Sequence, residues 1–133
     1  MQDRRIRPLN WVGGSYRDYV RFPRPVQEEM GFALYLAQAG DRHPIAKTIK
    51  GFGGGGVVEL ATLHDGDAFR TVYTVKFADE VYVLHAFQKK SKRGIATPRS
   101  DIDLVRRRLK AAEEDYLSRH RPAANRAKGR RGT

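Results

Sequence analysis

The 133-residue chain contains no cysteine, one tryptophan and two methionines. Without cysteine there is no disulfide, no thiol nucleophile and no thiolate metal ligand. The four histidines, His43, His64, His85 and His120, are too scattered to suggest a zinc site on their own, so no metal and no cofactor is expected. Long apolar runs are also missing: the longest stretch, 31–39, is about half of the roughly 20 residues needed to cross a bilayer. The first seven residues are charged with no apolar run behind them, so a soluble, cytoplasmic protein is expected, with no membrane partner.

Acidic residues are scarce too. Asp and Glu number 15 against 26 Lys and Arg, a formal charge of +11, which points to an anionic partner. From Arg119 onward there are six basic residues and no acid, leaving the remainder of the chain at about +5. This tail is small, charged and interrupted by Pro122; it buries too little to offset its ordering entropy. The reading is one domain over 1–118 and a disordered basic tail over 119–133.

Ile6 to Val12 reads as an edge strand ending at Gly13-Gly14, and Ser15 with Asp18 three residues on has the pattern of a helix start at Tyr16. Pro23 and Pro25 interrupt that helix; Val26, Met30, Ala33, Leu34 and Ala37 then recur at helical spacing up to Gly40. A linker through Lys50 and a glycine cluster leads into three strand-like runs at 57–62, 68–77 and 81–88, whose short turns imply an antiparallel meander. Thr97 and Pro98 resemble an N-cap and first helical position, and Ile102, Val105, Leu109, Ala112 and Tyr116 continue a helical stripe. The fold class is α+β: a short N-terminal strand, two helices, a three-strand meander and a C-terminal helix, with helices on one sheet face and the other free to work.

The glycine cluster formally contains G-x-G-x-x-G, but a strand follows it where a dinucleotide fold needs a helix, and Val57-Val58 stand where a Walker loop needs Lys and Ser or Thr. Asp65-Gly66-Asp67 lacks the remaining ligands of a calcium loop and reads as a hairpin turn.

The segment from Tyr73 to Gly94, with its VLHAFQKKSKRG core, resembles the phage-derived HigB-like subgroup of the RelE/ParE toxin superfamily. Trp11 to Ser15, Lys50 to Gly53 and Thr97-Pro98 extend the likeness over about residues 9–117. The resemblance implies a RelE-like fold and the toxin of a type II toxin-antitoxin system. It further implies a metal-independent endoribonuclease that cuts messenger RNA, commonly on the ribosome, and is silenced by a cognate helix-turn-helix antitoxin. Two rivals stand beside it: a ParE-like inhibitor of DNA gyrase with no nuclease activity, and a non-catalytic basic nucleic-acid-binding phage protein.

Metal-free RNA cleavage requires activation of a 2′-hydroxyl, stabilisation of a phosphorane and protonation of the leaving 5′-oxygen. Lys89, Lys90, Lys92 and Arg93 place four positive charges in five residues, where repulsion favours a neutral Lys; the bland reading is a solvated basic turn. By strand alternation Arg70 shares a face with Val72, Thr74 and Lys76, as a phosphate binder or as a partner of Glu59. His85, placed with Val81, Val83, Phe87 and Lys89, suits proton transfer or is a structural histidine. Tyr73, Tyr82 and Phe87 are stacking candidates, with core packing preferred for the two tyrosines. The catalytic candidates are thus Arg70, His85, Lys90 and Arg93, and the RNA-contacting ones Lys50, Lys76, Phe87, Lys89, Lys92 and Arg99.

Overall fold

Two antiparallel strands, β3 (Val57–His64) and β4 (Asp67–Thr74), are joined by Asp65-Gly66, both at positive φ. This is the two-residue turn whose twist matches the strands, and glycine takes its second position without steric cost. β5 (Val81–Lys89) pairs antiparallel with β4 and completes the meander. The computed structural model describes residues 5–89 and 97–120. Its remaining elements are β1 (Leu9–Trp11), α1 (Ser15–Tyr19), α2 (Arg24–Gln38), β2 (Ala46–Thr48) and α3 (Arg99–Arg119).

The sheet has five strands, in the order β1-β5-β4-β3-β2. β1 runs parallel to β5, and β2 lies antiparallel on β3 inside what reads as a linker. β2 is three residues long, with Lys47 and Thr48 exposed, too short for alternation to show. β4 stops at Thr74, three residues short of the expected end. There the Thr74 hydroxyl and the Val75 N–H both donate to the Gly56 carbonyl and turn the chain away.

Helices cover both faces, which corrects the expectation of one open face. On the first, α1 and α2 bury Tyr19, Val26, Met30, Leu34 and Ala37 against Val58, Leu60, Phe69, Tyr73, Val81 and Val83. On the second, the α3 stripe Ile102, Val105, Leu109, Ala112 and Tyr116 meets Phe52, Val57, Val72, Tyr82 and Leu84. The central strands are apolar on both sides, as strands between two layers must be. Both tyrosines named as stacking candidates are core residues, at 1% and 2% exposure.

The helix ends differ from their sequence signals in two places. Ser15 does not cap α1; it is buried and donates to the Val83 carbonyl, tying α1 to β5. Thr97 does not cap α3 either, because its hydroxyl donates to Glu59. At the end of α2, Gly40 (φ +86°) turns the chain so that its own N–H and that of Asp41 reach the carbonyls of Ala37 and Leu36, a Schellman stop. Among the described residues, no helix is long and apolar enough to cross a membrane.

The end of α3 is held by a buried carboxylate. Glu80 accepts from Asn10, Arg119 and His120, so the packed body runs two residues past 118. Burial pushes the Glu80 carboxyl up, but the hydrogen bonds from Arg119, His120 and Asn10 outweigh it and bring the group from 4.5 down to about 2. A depressed carboxylate stabilises the fold fully above its unfolded value and loses that contribution as pH falls through its folded one. Urea midpoints of the native protein and Glu80→Gln should therefore converge between about pH 4.5 and pH 2. A gap that stays constant across that window would show that the carboxylate charge contributes nothing.

Candidate functional site

A β-bulge assembles the site. Val72 pairs with His85 and Tyr73 with Val83, so Leu84 has no partner in β4. One extra residue reverses which side chains face which way downstream. His85 and Phe87 therefore leave the face of Val81 and Val83, where simple alternation puts His85, and join the α3 face. The Leu84 carbonyl at the bulge accepts from Arg108 of α3 at 3.0 Å.

On that face, Glu59, Val72 and His85 form one cross-strand row, and Ala61, Arg70 and Phe87 the next. Diagonal neighbours in such rows are about 7–8 Å apart, so Arg70 and His85 lie in one site. His85 Nε2 is 2.7 Å from Asp101 Oδ1 in the first turn of α3, and its ring stacks on Phe87 at 4.6 Å. His85 is 6% exposed, and its Nδ1 has no hydrogen-bond partner among the described residues. With Asp101 accepting from Nε2–H, the neutral ring carries its lone pair on Nδ1.

Arg70 donates to Glu59 at 3.0 Å, their side chains 10% and 12% exposed, and the second Glu59 oxygen accepts from Thr97 at 2.8 Å. Of the two readings of Arg70, the structure contains the Glu59 pair, so its charge is locally balanced. Arg70 also lines an open groove of about 540 Å³ with Ala61, Thr62, Leu63 and Ala68.

The other expected site residues divide. Lys89, at the end of β5, and Arg99, exposed at the start of α3, bracket this region. Lys90, Lys92 and Arg93 lie outside the described residues; their segment joins Lys89 to Thr97, both beside the site. Lys76 lies beyond the strand that carries Arg70. It follows the end of β4, roughly 20 Å along the chain at strand rise, and its Nζ donates to the carbonyls of Phe52 and Gly53. Lys50 is exposed at the root of the same glycine loop. Sequence reasoning missed Asp101 and the hydroxyl of Thr97. Asp101 had a signal, an acid in the first turn of a helix starting near Pro98, but its facing strand residue is set only by the bulge.

No curated protein matches the chain. Among solved structures it is similar to a chain of the toxin-antitoxin complex RelBE2 from Mycobacterium tuberculosis, at 11% identity and a TM-score of 0.44, over 68% of this chain and 100% of that one. The sequence over residues 17–110 matches the family described as phage-derived protein Gp49-like (DUF891). That match spans most of the chain and holds every strand of the meander together with Arg70, His85 and Asp101. The chain belongs to the phage-derived Gp49-like family.

Proposed function

We propose that the protein is the toxin of a type II toxin-antitoxin pair, of the HigB-like kind within the RelE/ParE superfamily, and an endoribonuclease acting on messenger RNA, on the ribosome. The observation that carries the nuclease reading is the 2.7 Å His85–Asp101 pair beside Arg70, at the base of the basic segment 89–93. A carboxylate that fixes the imidazole tautomer leaves the opposite nitrogen ready to take a proton.

In the proposed reaction, His85 Nδ1 accepts the proton of a ribose 2′-hydroxyl as its oxygen attacks the adjacent phosphorus. The P–O5′ bond breaks, the 5′-oxygen takes a proton from solvent water as it leaves, the protonated His85 returns its own proton to solvent, and a 2′,3′-cyclic phosphate remains. Arg70 is already balanced by Glu59, so the surplus charge for the phosphorane comes from Lys90, Lys92, Arg93 and Arg99. Nδ1 is closed to solvent, so the 2′-hydroxyl reaches it only after the side chains around it move.

That closure favours one second reading, a surface that binds RNA through its lysines and arginines without cutting it. Primer extension on a defined messenger RNA, with and without ribosomes, separates the two. Discrete cuts by the native protein that vanish in His85→Ala support the nuclease; intact RNA throughout, with salt-dependent binding, selects the passive binder. Intact RNA with arrested gyrase would select the ParE-like alternative. Co-purification with the product of the adjacent gene tests the antitoxin partner, and failure to bind it would remove that part of the proposal.

The tail makes a separate contribution. Residues 121–133 carry Arg121, Arg126, Lys128, Arg130 and Arg131. Their removal is expected to leave the unfolding midpoint unchanged and weaken RNA binding at low salt, the salt slope falling by about 0.7 for each phosphate that the tail neutralises in the native protein. An unchanged slope would show that the tail does not touch RNA.

A further inference from the structure

β1 pairs with β5 only at Val81–Val83, so among the described residues no strand covers the outer edge of β5 beyond that point. A cavity of about 280 Å³ opens there, between β5 and the end of α1. It is lined by Phe22, His85, Phe87 and Gln88, with Asp18 and Arg21 from α1 and the turn after it. Ring faces with a carboxylate and a guanidinium at the rim are the complement of a flat heterocycle with polar edges attached to a phosphate.

The two charged groups are available. Arg21 is exposed and has no ion-pair partner among the described residues. Asp18 meets Arg17 at 3.4 Å through Oδ1 and lies within electrostatic reach of Arg108, and its Oδ2 has no hydrogen-bond partner among them. Phe87 is half-buried and held by its stack on His85, so it offers a preorganised surface. The cavity also shares Phe87 with the Arg70 row, placing it one strand from the proposed scissile phosphate.

We propose that this cavity is a nucleobase subsite: it holds one unpaired base of the bound RNA against Phe87, with the base edge on Asp18 and the neighbouring phosphate on Arg21. The inference rests on the RNA reading above and adds a specificity. A carboxylate accepts two parallel hydrogen bonds from adjacent N–H groups, and guanine alone among the four bases presents an imino and an amino donor side by side. Uracil presents one donor between two carbonyl oxygens, which a carboxylate repels. Guanine is therefore the preferred occupant and uracil the poorest.

Titration of the full chain with guanosine and uridine monophosphates, followed by backbone amide shifts, tests this directly. Guanosine monophosphate should shift Arg21, Phe87 and Gln88 and bind at least about tenfold more tightly than the uridine compound, and Asp18→Asn should remove that margin. Asp18 is partly exposed and outside the core, so this variant is expected to keep its unfolding midpoint. On RNA, the native protein should cut at positions with a guanine at a fixed offset, and Asp18→Asn should lose that bias in whatever cleavage it retains. Native cleavage with an offset pattern unchanged in Asp18→Asn, or equal affinity for both nucleotides, overturns the subsite and leaves the nuclease standing. Guanosine-selective shifts at the cavity without any RNA cleavage uphold the subsite and defeat the nuclease instead.

Discussion

Asp101→Asn is expected to lower RNA cleavage by about 10²–10⁴-fold, the range that positioned proton transfer contributes. Asn is close in size and Asp101 lies at a solvent-accessible helix start, so the helix should form as before. What changes is the hydrogen bond to His85 Nε2. An amide can donate to that nitrogen, and the ring then carries its proton on Nδ1, where it can no longer accept the 2′-hydroxyl proton. His85→Ala should cost a similar factor, and the double variant little more than either, since two residues of one device are not additive. RNA binding at low salt should stay within about twofold in all three, because the charge that attracts phosphate lies elsewhere. Single-turnover cleavage with binding measured in parallel decides it. Rates within about threefold of native would make the His85–Asp101 pair structural.

The second large effect is on stability. Glu59→Ala should destabilise the fold by about 3–5 kcal/mol, because it removes the carboxylate that pairs with the largely buried Arg70 guanidinium. It also removes the acceptor of Thr97, which stands two residues before α3. The paired substitution Glu59→Gln with Arg70→Met should recover most of the loss, since it removes both charges together and leaves neither one buried alone. Urea unfolding of the native protein, Glu59→Gln, Arg70→Met and the pair closes a double-mutant cycle, with Glu59→Ala measured beside it. A loss below about 1 kcal/mol for Glu59→Ala would mean that water reaches the pair and screens it, as at a surface bridge.

Much of the architecture was legible because it is written in local periodicity. The helical stripes of α2 and α3 and the alternating runs of the meander need only neighbours within one element to show themselves. Asp65-Gly66 announced its hairpin because few dipeptides accept two positive φ values. Short pieces without a period stayed hidden: β2 has three residues, two of them exposed, and the parallel seat of β1 beside β5 depends on a partner about 70 residues away. Polar caps misled at Ser15 and Thr97 for one reason. A hydroxyl that can cap a helix can equally reach a distant carbonyl or carboxylate, and only the packed chain shows which is nearer.

The candidate site was half legible. Composition pointed to an anionic partner, and the strand sequence singled out Arg70, His85 and Phe87. It also placed Arg70 and Glu59 in reach of each other, since antiparallel pairing rules need only the hairpin register. The face on which His85 and Phe87 stand was decided by one unpaired residue, Leu84, and a bulge has no reliable mark in a single sequence. Asp101 joined them because α3 returns across the sheet at that height. The sequence by itself determined the elements, the basic charge and the apolar stripes, which are properties of neighbours along the chain. Only the tertiary structure decided which strand edge stays open, which face holds the histidine and which carboxylate meets it, because those follow from register and crossing, where interactions between distant segments compete.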